Sequence, residues 1–147
     1  MLYVTADHAG FELKNTLKKW LVSHTTEFID IAPNLEKGDD YPIRSDELAQ
    51  YLHDSDNRGI AICGTGQGIC IGLNRYSHVR AVSPSTAEIT KLTRLHNDAN
   101  VLCLDGRFMD FETVIEIVTI FLDTKFSDDP RHIRRIGMLS RTGSNQI

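Results

Sequence analysis

No run of this sequence is both long and apolar. The longest apolar stretches, such as 114–122, are interrupted by charge. They fall far short of the roughly 20 residues that a helix needs to cross a bilayer, so a membrane protein is not expected. Cysteine is scarce, three in 147 residues, an odd number with no paired spacing. That excludes a disulfide framework or a zinc cage and suits a reducing compartment, the cytoplasm. Basic charge is not in excess either: the formal net charge is −4, which speaks against a general affinity for nucleic acid. Internal repeats, low-complexity tracts and Pro/Gly/Ser-rich linkers are missing. The length therefore reads as one domain over 1–147. Met1 runs straight into an apolar strand with no basic leader, so secretion is not expected.

What is present is an alternation of short apolar runs with longer amphipathic ones, the pattern of strand, crossover helix and parallel sheet in an α/β fold. The runs predict strands at Leu2–Thr5, Glu27–Ile31, Gly59–Cys63, Arg80–Ser83 and Val101–Leu104. Between them Leu13, Leu17 and Leu21 recur near helical spacing, as do Leu48 and Leu52, and later Ile115, Val118 and Leu122. A last helix is predicted over about 128–141, with Asp128 or Asp129 at the positive end of its dipole and Pro130 near its first position.

Ligands of an open parallel sheet bind beyond the carboxyl ends of the strands. Three polar segments compete for that place: Asp7-His8-Ala9-Gly10, Cys63-Gly64-Thr65-Gly66-Gln67-Gly68, and His96-Asn97-Asp98 before the fifth strand. Gly64, Gly66 and Gly68 let the backbone turn its N–H groups toward an anion. Ile69 stands where a dinucleotide fingerprint would need glycine, and no Gly-Lys-Ser or Gly-Lys-Thr follows, so both nucleotide readings lose ground. Cys63, where a strand meets a helix start, is either a base or nucleophile or a small buried hydrophobe. Thr65 offers a hydroxyl, or simply a helix cap. His8 and His96 each stand beside an acid or amide that can set orientation and pKa, whereas His24, His53, His78 and His132 read as solvated. The His-x-x-x-His spacing of a helical metal site is missing, and no metal is expected. Arg131 and Arg135 share a face of the last helix, suited to clamping a phosphate, with Arg107 as an addition; the plainer reading is a solvated basic face.

Together these segments closely resemble the type B ribose-5-phosphate isomerases, and more broadly the superfamily that includes the heteromeric galactose-6-phosphate isomerases. The resemblance runs from Asp7-His8-Ala9-Gly10-Phe11 and Leu13-Lys14 through Asp40-Tyr41-Pro42, the Ile62 to Gly68 loop, and Asn74 before Arg80-Ala81. It continues through Arg94 to Leu102, Gly106-Arg107, and Arg131-His132 with Arg135. It implies a Rossmann-like three-layer α/β/α sandwich with a central parallel sheet of about five strands. It also implies homodimers, often paired into tetramers, in which each active site is built from two subunits. The expected activity interconverts ribose 5-phosphate and ribulose 5-phosphate through an enediolate, with no cofactor. By resemblance Cys63 is the base, and Thr65 with the N–H groups around Gly64, Gly66 and Gly68 holds the enediolate oxygen. His96 opens the sugar ring, Asp7 and Asn97 bind hydroxyls, and His8, Arg131, Arg135 and Arg107 bind the phosphate. One branch of the family uses a glutamate as base where Ile69 stands here, so the cysteine branch fits better.

The stretch 32–39 diverges from the resembled family, as do Cys70, Gly72 and Pro84-Ser85-Thr86, all flanking the expected site. Six-carbon substrates, allose 6-phosphate or galactose 6-phosphate, are therefore alternatives, as is a non-catalytic sugar-phosphate-binding module. The presence of both Cys63 and His96 speaks against the last, since binding alone requires neither acid–base group.

Overall fold

The computed structural model describes residues 1–141. The chain runs β1 (Leu2–Ala6), α1 (Phe11–Ser23), β2 (Phe28–Asp30), α2 (Tyr41–Ala49), β3 (Arg58–Cys63), α3 (Gln67–Leu73), β4 (Ala81–Val82), α4 (Ala87–Asn97), β5 (Val101–Asp105), α5 (Phe111–Asp123) and α6 (Pro130–Leu139). The five strands form one sheet in the order β2-β1-β3-β5-β4, and every pairing is parallel.

The central strands are apolar on both faces because helices cover both. Val4, Ala6, Ile60, Ile62, Leu102 and Leu104 face a core completed by Leu17 and Leu21 of α1 and by Val114, Ile117, Val118 and Phe121 of α5. Residues of the opposite parity, Ala61, Cys63, Val101 and Cys103, pack with Leu48 and Ala49 of α2 and with Ile69, Cys70 and Leu73 of α3. The period of two thus divides each strand between two hydrophobic layers. From β1 the chain crosses to β2 on one side, then returns across the sheet to place β3 on the other side of β1. The order reverses between β1 and β3, and the crevice beyond their carboxyl ends is the topological switch point where ligands of such sheets bind.

The predicted strands all form, with shifted limits. The second and fourth contract to Phe28–Asp30 and Ala81–Val82, because each is an edge strand with a single neighbour. The three central strands each gain one residue, Ala6, Arg58 or Asp105. The last helix is shorter than 128–141. Asp128 has a positive φ of 53°, outside any helix, and the Asp129 carboxylate caps the helix by accepting from the N–H of Arg131. No helix among the described residues is long and apolar enough to cross a membrane.

Candidate active site

Three turns meet beyond the carboxyl ends of β1, β3 and β5. In the first, the Asp7 carboxylate accepts from the N–H groups of Ala9 at 2.9 Å and Gly10 at 3.0 Å. In the third, Asp105 does the same for Arg107 at 2.8 Å and Phe108 at 2.9 Å. An aspartate at the end of an apolar strand, closing its own turn, is a local device that needs no partner from elsewhere. The turns interlock where side chains are missing. A Cβ on Gly10 would lie 2.6 Å from the Ile62 carbonyl oxygen, and one on Gly106 would lie 2.8 Å from the Ala9 oxygen and 3.1 Å from that of Cys63.

The middle turn carries Cys63 and the glycines. Cys63 is buried and lies in register with Asp105 of β5. Gly66 caps α3 in the left-handed conformation, at φ 72°. Gly68 lies against the Tyr41 ring, whose carbon would stand 2.7 Å from an added Cβ. Thr65 is exposed beside them, its hydroxyl accepting weakly from Gln67 N–H at 3.4 Å. The Arg107 guanidinium folds over Gly64, its carbon 3.2 Å from where a Cβ would be. Cys63, Thr65, Gly64, Gly66, Gly68, Asp7, His8 and Arg107 thus gather at this one end of the sheet.

His8 is held from below. Its N–H donates to the Asp39 carboxylate at 2.6 Å, and its ring Nδ1 lies 3.1 Å from both the same oxygen and the Asp39 carbonyl. The other Asp39 oxygen receives Arg44 Nε at 2.9 Å. Hydrogen bonding to Asp39 raises the His8 pKa above that of an ordinary histidine. Burial pushes the Asp39 carboxyl up, but the hydrogen bonds from Arg44 and His8 outweigh it and hold the carboxyl below its usual range.

His96, Asn97, Arg131 and Arg135 stand elsewhere. Helix α4 runs back against the strand direction and ends just before β5 starts, so its last residues lie at the amino edge of the sheet. The Cys63 end is a full strand away, about 13 Å at the usual rise per residue. Helix α6 joins α4 at that edge: the His96 and His132 rings are 4.5 Å apart, and Ser127 N–H donates to the Leu95 carbonyl. His132 is buried rather than solvated, at 5% exposure, and burial followed by the neighbouring His96 lowers its pKa. Asp98 does not orient His96 but pairs with Arg80 and Arg94. A cavity of about 420 Å³ opens here, lined in part by Asn97, Arg75, Arg80 and Leu139. Among the described residues no three His, Cys, Asp or Glu side chains gather closely enough to hold a metal ion.

Sequence reasoning passed over Asp105, Asp39, Arg44 and the buried state of His132. An Asp closing an apolar strand signals the Asp105 turn, but the pairing of residues 8, 39 and 44 becomes visible only once β1 and α2 are side by side.

The chain matches the family described as Ribose/Galactose Isomerase over residues 2–139. It is 35% identical over 131 residues to the ribose-5-phosphate isomerase B of Escherichia coli K12, covering 88% of this chain and 87% of that one. The structure resembles that of ribose-5-phosphate isomerase B from Mycoplasma genitalium with bound ribulose 5-phosphate, with a TM-score of 0.88 at 36% identity over 95% of this chain and 93% of the other. It also resembles the Thermotoga maritima ribose 5-phosphate isomerase, with a TM-score of 0.90 at 37% identity over 95% and 97%.

Proposed function

The chain belongs to the ribose/galactose isomerase family, and from that premise we propose that it interconverts ribose 5-phosphate and ribulose 5-phosphate, an aldose–ketose isomerisation. The observation that carries this reading is a buried cysteine ending β3 where a glycine turn begins, at the switch point of the sheet, with an arginine folded over the turn. In the open-chain aldose, Cys63 removes the proton from C2, the electrons move toward the carbonyl at C1, and an enediolate forms. Passage of the O2 proton to O1 and return of a proton to C1 give the ketose, with its carbonyl at C2. Thr65 and the backbone N–H groups around Gly64, Gly66 and Gly68 steady the enediolate oxygen. A positioned base is worth a factor of about 10² to 10⁴ and a single oxyanion donor about 10² to 10³. Asp7 and Asn97 hold sugar hydroxyls, while His8, Arg107, Arg131 and Arg135 hold the phosphate.

His96 assists ring opening, and here the proposal needs a second chain. The two groups of residues lie at opposite edges of one sheet, so a complete site takes its amino-edge half from a second copy of this chain. Three free cysteines suit a cytoplasmic address.

The assay compares wild type with Cys63→Ala on ribose 5-phosphate in chelator-treated buffer, with allose 6-phosphate in parallel. The expected result is turnover of the pentose phosphate that Cys63→Ala lowers by about 10² to 10⁴. Turnover confined to the six-carbon sugar overturns the substrate, and turnover that survives the substitution overturns the base.

A further inference from the structure

The segment 32–39, just before α2, ends in a carboxylate that reaches back to the candidate site. Asp39 divides its two oxygens. Oδ2 takes the Arg44 guanidinium, and Oδ1 takes both the His8 backbone N–H and its ring Nδ1. The Asp39 and Arg44 side chains are each 6% exposed, whereas that of His8 is 42% exposed. Arg44 is itself gripped by Glu36 and Glu47, both at 2.8 Å. Three carboxylates therefore hold one guanidinium, and the guanidinium holds Asp39 against His8.

This geometry fixes the histidine tautomer. Both oxygens facing Nδ1, the Asp39 carboxylate and carbonyl, are acceptors, so Nδ1 carries the hydrogen in either charge state. Nε2 on the opposite side of the ring has no protein partner among the described residues. When the ring is neutral Nε2 offers a lone pair, which repels an anion; when the ring is protonated it offers an N–H, which binds one. The charged groups facing the ring are Asp39, in direct contact, and Asp7 on the same turn; both favour the protonated form. Arg44 is separated from the ring by Asp39.

We propose that Asp39, anchored by Arg44, is the positioning residue for His8, fixing Nδ1–H inward and presenting Nε2–H outward to the substrate phosphate. This rests on the sugar-phosphate reading above and adds to it two residues that touch no substrate. A clamp that merely closed the loop before α2 would not require the ring nitrogen to share the carboxylate oxygen with the backbone.

The test begins with ring-nitrogen NMR on the labelled full-length protein, with His8→Ala for assignment. Neutral His8 is expected as the Nδ1–H tautomer, with a titration midpoint above that of an ordinary histidine, and its ring signals move on addition of inorganic phosphate. Asp39→Asn is expected to lower the midpoint. An Nε2–H tautomer, a midpoint unchanged by Asp39→Asn, or no response to phosphate overturns the proposal. Should Asp39→Asn fail to fold, the wild-type tautomer still decides, and Arg44→Met weakens the anchor from the other side. In kinetics, Asp39→Asn is expected to raise KM for ribose 5-phosphate about three- to tenfold with kcat within about twofold. In a His8→Ala background it is expected to change neither. Equal losses in both backgrounds mark a structural role and overturn the proposal. Wild-type protein that binds phosphate at His8 but does not isomerise ribose 5-phosphate overturns the functional reading and leaves the Asp39–His8 pair standing.

Discussion

Two glycines of the turn after β3 differ in what a side chain would meet, and the difference separates stability from binding. Gly66 has φ 72° and would press its Cβ to 3.1 Å from the Leu104 carbonyl. The left-handed conformation alone costs an L-residue about 1–2 kcal/mol, and two of the three nearest atoms belong to the Leu104 backbone, which cannot step aside as the third, Ser83 Oγ, can. Gly66→Ala is therefore expected to lower unfolding stability by about that much or more, read from urea denaturation. At Gly64 the obstacle is the Arg107 guanidinium at 3.2 Å, the far end of a flexible, exposed side chain. Gly64→Ala is expected to leave the urea midpoint nearly unchanged while displacing Arg107 and raising KM for the sugar phosphate. Equal stability losses in both variants would show that Arg107 is fixed rather than yielding. At this scale much was legible: Cys63 and its glycines announce a special turn by composition alone. Asp39 and Arg44 do not, since a five-residue separation that runs from a loop into the first turn of α2 matches neither a helical nor a strand period.

The α4–α6 contact gives one element pair a pH response. His132 is buried against His96 and binds a proton less readily in the folded chain than in the unfolded one, whose reference value is 6.5. Stability rises with pH wherever the unfolded state binds more protons. The contribution of His132 is thus complete above the unfolded value and is lost as pH falls through it toward the lower folded value. His8 has the opposite sign: its folded pKa is raised, so its contribution is complete below the unfolded value and is lost as pH rises through the folded one. Thermal melts between about pH 7 and about pH 5.5 separate the two. His132→Phe is expected to lose less Tm than wild type on acidification, and His8→Ala is expected to lose more. Parallel slopes in all three proteins would remove the burial argument for His132. The sequence pattern located every strand from its apolar runs and α6 from Asp128, Asp129 and Pro130, but marked no helix over α4. It overran the edge strands, whose length depends on one neighbour, and the last helix, whose start depends on the Asp129 cap.

Across the whole molecule, the sequence grouped His96-Asn97-Asp98 with the turns after the first and third strands because all three are polar and adjoin strands. Topology divides them: the first two follow strands, the third precedes one, and a parallel sheet sends the two kinds to opposite edges. A chain cannot bend one edge of its own sheet onto the other, but a second copy related by a two-fold axis can lay its amino edge against the first chain's carboxyl edge, twice over. Mixed dimers make the arrangement measurable. In that arrangement the Cys63→Ala and His96→Ala proteins would each have both sites defective. Unfolded together and refolded in equal amounts, half the dimers pair unlike chains, and each of those has one site with both side chains intact and one with neither. The mixture is expected to recover about a quarter of the wild-type turnover from two nearly inactive components. A site contained within one chain would leave the mixture as inactive as its parts, because no subunit in it carries both residues.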